Sequence, residues 1–252
     1  MYQLKQQLSQ LRLPGFTQAL EQQLSQPNTY DGLSFTDRLE LLFSEELLQR
    51  SNNKQRLLIK QAAFKLSANL QDIDYTQDRH IERSHIARLA QPDWISKGQN
   101  LLITGPCGSG KTHLACAIGH TACMRHQSVR YYRLSRLFLD IAQSKGDGSY
   151  KKRLLELAKY ELLILDDWGL EPMNDANRRD IMEILDDRYN VKSTIMISQL
   201  PTDQWYGLIG DNTMADAILD RLMHNAHRLN IKGESMRKKR ANMDQSEHLA
   251  VK

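Results

Sequence analysis

The sequence has few cysteines, no long apolar run and little net charge, and each shortage removes a class of function. Its longest apolar stretches, such as LLIL at Leu162 to Leu165, are far too short to cross a bilayer. The opening segment MYQLKQQLSQLRLPGF carries a polar or charged residue every second or third position, so it lacks the continuous apolar core of an export signal. A cytoplasmic protein with no membrane partner is expected. The three cysteines, Cys107, Cys116 and Cys123, are an odd number with no close metal-type pairing and are expected to be reduced thiols. A net charge of +4 over 252 residues permits nucleic-acid binding without requiring it. With 40% hydrophobic and 25% charged residues, the chain has the composition of a folded protein and the length to bury a core. Neither an internal repeat nor a low-complexity tract is present.

What is there changes character along the chain. Residues 1–70 read as a small all-helical domain for DNA or partner binding: Leu4, Leu8 and Leu11 recur at helical spacing, Leu13-Pro14-Gly15 makes a break, and a second helix runs from Phe16. SFTD at Ser34 to Asp37 has the form of a capping box, with Asp in the slot usually held by Glu. A connector at 71–98 follows. Residues 99–240 then alternate strand and helix patterns, with NLLIT, VRYYR, YELLILDD, STIMISQ and HRLNI as five strands. Such alternation predicts an α/β core with a five-stranded parallel sheet covered by helices on both faces. Residues 241–252 read as a polar tail, and the stretch after Ile231 is too short for a helical lid bundle.

GPCGSGKT, Gly105 to Thr112, fits G-x-x-x-x-G-K-[ST] at every fixed position and lies between a predicted strand and a predicted helix. Gly105, Pro106, Cys107, Gly108, Ser109, Gly110, Lys111, Thr112 and His113 are therefore the candidate ATP contacts. The backbone N–H groups of such a loop cradle phosphates at a helix N-terminus. Lys111 is placed to reach the β and γ phosphates, and the Thr112 hydroxyl to bind Mg2+. At the end of the LLILDD strand, Asp166 is the second candidate magnesium ligand, because a hard cation wants oxygen. Asp167 is the candidate that orients and polarises the attacking water. His224 and His227 make a poor site on their own, surface or packing roles are expected for them, and no metal beyond magnesium is expected.

One strand, VRYYR, lies in sequence between the loop strand and the Asp166 strand. That order resembles the ATPases with an inserted central strand, the AAA+ proteins among them. The resemblance puts Ser198 and Gln199 where AAA+ proteins keep a γ-phosphate sensor, and Arg221 where they keep an arginine finger that serves a neighbour's ATP.

Together LPGFTQALEQQL, LSFTDRLELLFSEELLQR, GPCGSGKTHLACAIG, LLILDDWGLEP and DAILDRLMHNAHRLNIKGESMRK resemble the IstB-like helper ATPases of insertion sequences, relatives of DnaC-type helicase loaders and of DnaA. The resemblance covers almost the whole chain. It implies an ATPase that forms a homo-oligomer with ATP on double-stranded DNA, largely without sequence preference, and assists a partner transposase. It also offers Arg237 as a second arginine near the phosphates. Gln199 departs from the pattern, since such proteins commonly read SN there.

DNA contacts are expected from clustered cations: Arg50, Lys54, Arg56, Lys60 and Lys65 in an acid-free stretch, Lys145, Lys151, Lys152 and Arg153 in a loop reading SKGDGSYKKR, and the run from Arg237 to Arg240. Two rival readings share the phosphate loop. A DnaC-like helicase loader would carry a different N-terminal module, and a small-molecule kinase would need a closing lid and would leave Arg221 without a purpose.

Overall fold

The computed structural model describes residues 2–75 and 81–233. The chain divides into two compact units, Met1–Leu57 and Leu58–Lys252. The first is helical: α1 (Tyr2–Gln10), α2 (Pro14–Ser25), α3 (Pro27–Tyr30) and α4 (Phe35–Ala62), the last running through the division. Helix α2 begins at Pro14 rather than Phe16, because proline suits the first helical turn, where its missing N–H costs nothing. The free N–H groups of Gly15 and Phe16 donate to Glu46 Oε2 at 2.8 and 3.1 Å. Arg50 ties the arrangement together, reaching Glu46 Oε1 at 2.6 Å and the Arg12 carbonyl at 3.0 Å. The capping box forms reciprocally: Ser34 N–H donates to Asp37 Oδ2 and Asp37 N–H to Ser34 Oγ, both at 3.2 Å.

The second unit contains α5 (Arg83–Leu89), α6 (Asp93–Ser96), β1 (Asn100–Thr104), α7 (Lys111–Met124), β2 (Val129–Arg133), α8 (Leu134–Gly146), α9 (Tyr150–Lys159), β3 (Leu162–Trp168), α10 (Asp175–Arg188), β4 (Ser193–Ser198), α11 (Trp205–Ile209), α12 (Asn212–Met223) and β5 (Ala226–Asn230). All strand pairs are parallel, in the order β2-β3-β4-β1-β5. Strand β4 thus lies between the loop strand and the aspartate strand, and β2, second in sequence, is at an edge beside β3. The three inner strands, β3, β4 and β1, are buried on both faces, as parallel sheets demand, while the edge strands β2 and β5 are partly open. Leu101, Ile103, Ile164, Ile195 and Ile197 pack with α7 on one face. Leu102, Leu163, Leu165 and Met196 pack with α8, α10 and α12 on the other.

One reading of the sequence is corrected here. SKGDGSYKKR is not a loop: α8 runs to Gly146 and α9 starts at Tyr150, leaving a turn in which Asp147 accepts from the Ser149 N–H at 2.9 Å. The question of a C-terminal lid falls on residues 234–252, outside the described residues. Among those described, no helix is long and apolar enough to cross a membrane.

Candidate nucleotide site

The phosphate loop leaves the end of β1 and returns into the first turn of α7, so Gly105 to His113 form one continuous cradle. Its shape requires glycine. Gly105 has φ 145°, and a Cβ there would lie 2.1 Å from the Ile231 carbonyl oxygen; Gly110, at φ 94°, turns the chain into α7. Lys111 is buried, and its ammonium donates to the carbonyls of Gly105 at 2.6 Å and Pro106 at 2.7 Å. Burial lowers its pKa, while Cys107, Asp166 and Asp167 pull it back up. Ser109 Oγ is buried without a hydrogen-bond partner among the described residues. An orphaned polar atom and a lysine bent onto its own loop are what a cradle built for an anion leaves unsatisfied.

Across the sheet, Asp166 is only 2% exposed, and its Oδ2 accepts from Thr112 Oγ1 at 2.8 Å and from the Tyr131 hydroxyl at 2.7 Å. Two hard oxygen donors, Thr112 and Asp166, therefore meet at the loop, and the pair suits magnesium. Tyr131, on β2, is held protonated by burial and then by Asp166 itself. Beyond Asp166 the β3–β4 register shifts. Asp167 takes a left-handed φ of 65°, and its carboxylate pairs with Arg133 at 2.8 Å. Lys65 Nζ stands 3.8 Å from Asp166 Oδ2. Lys65, Tyr131 and Arg133 are the site residues that the sequence reading missed or misplaced. Tyr131 and Arg133 share a face of VRYYR, a signal that becomes readable once β2 is known to neighbour β3.

Ser198 ends β4 opposite Thr104 and is buried. Its hydroxyl donates to the Trp168 carbonyl at 2.8 Å and accepts from the Leu200 N–H at 3.1 Å, so it braces β3 just past the aspartates. Gln199 is exposed. Arg221 lies near the end of α12, at the opposite end of the strands from the loop: its carbonyl accepts from Asn100 Nδ2, at the start of β1, at 3.0 Å. The start of β1 is roughly 13 Å from the phosphate loop at strand rise, which keeps the Arg221 guanidinium away from the phosphates bound by its own chain. That guanidinium instead pairs with Asp186 at 2.7 Å.

The cations proposed for DNA fall into two groups. Lys54, Arg56 and Lys60 are exposed on α4, and Lys151 and Lys152 on α9. Arg50, Lys145 and Arg153 instead have partners within the chain: Glu46 for the first, Asp180 at 2.5 Å for the second, Asp140 and Glu156 at 3.1 and 2.8 Å for the third. Arg237 and the run to Arg240 lie outside the described residues.

A parallel sheet in this order, with the phosphate loop after β1 and paired acids near the end of β3, defines a P-loop nucleotide-binding protein of the AAA+ fold. The solved DnaI has the same fold, with a TM-score of 0.57 at 24% identity over 70% of this chain and 93% of that one. AMPPCP-bound DnaA from Aquifex aeolicus gives 0.58 at 17% over 73% and 56%. More specifically, residues 6–244 match the model of the IstB-like ATP binding protein family, and the chain belongs to that family. The insertion sequence ATP-binding protein y4pL of Sinorhizobium fredii (strain NBRC 101917 / NGR234) is 44% identical over 231 residues, 92% of this chain and 94% of that protein. The IS1162 ATP-binding protein of Pseudomonas fluorescens is 45% identical over 208 residues, 82% and 89% of the two.

Proposed function

We propose that the protein is a magnesium-dependent ATPase that assembles on duplex DNA, remodels it and recruits or stimulates the transposase of an insertion sequence. The observation that carries the ATPase half is the meeting of Thr112 and Asp166 at a phosphate loop whose lysine is bent onto its own carbonyls and whose buried serine has no hydrogen-bond partner among the described residues. The transposition half is supported by membership in a family whose relatives are named for insertion sequences.

In this reading the loop N–H groups and Lys111 bind the ATP phosphates, and Thr112 and Asp166 hold magnesium. Magnesium, when bound, offsets negative charge on the phosphate oxygens. Asp167 orients and polarises the attacking water. Arg221, out of reach of its own site, stabilises transition-state charge in a neighbouring copy. ATP thereby joins subunits, and hydrolysis resets the assembly. Bending a few tens of base pairs costs on the order of 1–6 kcal/mol, which many backbone contacts from a homo-oligomer can offset. The exposed cations Lys54, Arg56, Lys60, Lys151 and Lys152 are suited to such contacts, and they would read charge rather than base sequence.

The test is the mass of the complexes formed on a random-sequence duplex and on a matching single strand, with and without ATP and magnesium. Large ATP-dependent assemblies on the duplex are expected, abolished by Lys111→Ala and trapped by Asp167→Ala, with affinity falling steeply as salt rises. Assembly on single strands alone would overturn the reading in favour of a helicase loader.

A further inference from the structure

The short segment that leaves α4 runs into the nucleotide site. Ala63 takes a left-handed φ of 51°, and Phe64 then lies against α7. A Cβ built on Gly119 would stand 2.7 Å from Phe64 Cε1 and 2.9 Å from Ile164 Cδ1, so glycine at 119 makes room for the ring beside the sheet. The backbone N–H groups of Lys65 and Leu66 face the Cys116 sulfur. Residues 63–66 thus run along α7, and the Lys65 ammonium is delivered to the acid at the centre of the site. Its side chain keeps 37% exposure, so it has a route back to solvent.

We propose that Lys65 is a positioning residue of the nucleotide site, a resident cation that balances Asp166 before magnesium binds and yields its place when the metal arrives. The proposal rests on the ATP-binding reading and deepens it. A carboxylate buried as deeply as Asp166 needs a counter-charge. The neutral hydroxyls of Thr112 and Tyr131 satisfy the hydrogen bonding of Oδ2, the Lys111 ammonium acts on it from within the loop, and Lys65 adds the ion pair at 3.8 Å. An ammonium and a divalent cation at one oxygen repel each other. Magnesium therefore binds in competition with Lys65, and the metal state of the site is passed to residues 63–66, which continue directly from α4.

The experiment measures the binding of a fluorescent ADP to the full chain while magnesium is titrated from a chelated start, and reads the magnesium concentration at half effect. Lys65→Met, which keeps the length and removes the charge, is expected to lower that concentration about three- to tenfold. It should also lower the melting temperature of the metal-free protein. Lys65→Arg keeps the charge and should stay within about twofold of the unchanged chain. Gly119→Ala alters no charge but crowds Phe64, and is expected to shift the magnesium requirement in the same direction as Lys65→Met. An unchanged or raised magnesium requirement in Lys65→Met, with ADP still bound, would overturn the role of Lys65 while leaving the nucleotide site standing. Absence of ADP binding by the unchanged chain at every magnesium concentration would overturn both.

Discussion

Asp166 and Asp167 are neighbours with different surroundings. Asp166 is buried under two hydroxyls and faces an ammonium, while Asp167, turned by its left-handed φ, reaches Arg133 on β2. Strand β2 lies on the opposite side of β3 from β4 and β1, so this pairing holds the Asp167 carboxylate away from the loop strand. Arg133→Gln is therefore expected to raise basal ATP hydrolysis about two- to fivefold and to leave nucleotide affinity unchanged, measured as single-turnover hydrolysis beside equilibrium binding. A slower turnover would mean that Arg133 positions Asp167 for catalysis instead of restraining it. At this scale the sequence was readable where a motif prescribes the residue, as at Lys111, Thr112 and Asp166. It was opaque where a partner comes from a distant strand or turn. Nothing local to Lys65 distinguishes it from Lys60; the turn at Ala63 does.

Elements were legible where their ends carry specific chemistry. Pro14 at a helix start and the Ser34/Asp37 pair identify α2 and α4, and the apolar strands identify the sheet. The α8–α9 turn was over-read as a loop because Lys145, Gly146, Asp147, Gly148 and Ser149 are all turn-compatible, although Leu154 and Leu157 keep helical spacing behind it. Arg188, at the end of α10, had no signal at all. It is 1% exposed, and its guanidinium donates to the carbonyls of Leu157 at 2.7 Å and Tyr160 at 2.9 Å, to the Ser193 carbonyl, and to Thr194 Oγ1 at 3.2 Å. One side chain thus closes the end of α9 and the start of β4. Arg188→Met leaves those acceptors buried and unpaired and should cost about 2–4 kcal/mol, read as a lower midpoint in urea unfolding. Arg188→Lys should recover little of that, because a single ammonium cannot reproduce the planar fork.

At the scale of the whole molecule, the phosphate loop follows the end of β1 while the Arg221 backbone sits at its start, so the two lie at opposite ends of one strand. The sequence implied this only through family resemblance, since the position of α12 depends on β5 pairing beside β1. An arginine that serves catalysis from that end must serve a second copy, and releasing it from the exposed Asp186 pair costs little, about 0–1 kcal/mol. Two variants separate the halves of such a shared site. Arg221→Ala keeps the phosphate loop and Asp167 but supplies no arginine; Asp167→Ala supplies the arginine but hydrolyses nothing itself. Each alone should fall to background. Mixed in equal amounts, about a quarter of the contacts would join an intact loop and Asp167 to an intact Arg221, so hydrolysis should return to about a quarter of the unchanged rate. Recovery of that size in a steady-state assay, rising with total protein concentration, makes Arg221 a residue of the neighbouring site. Background activity at every mixing ratio would confine Arg221 to its pair with Asp186 and leave the transition-state charge to groups on the same chain as the loop.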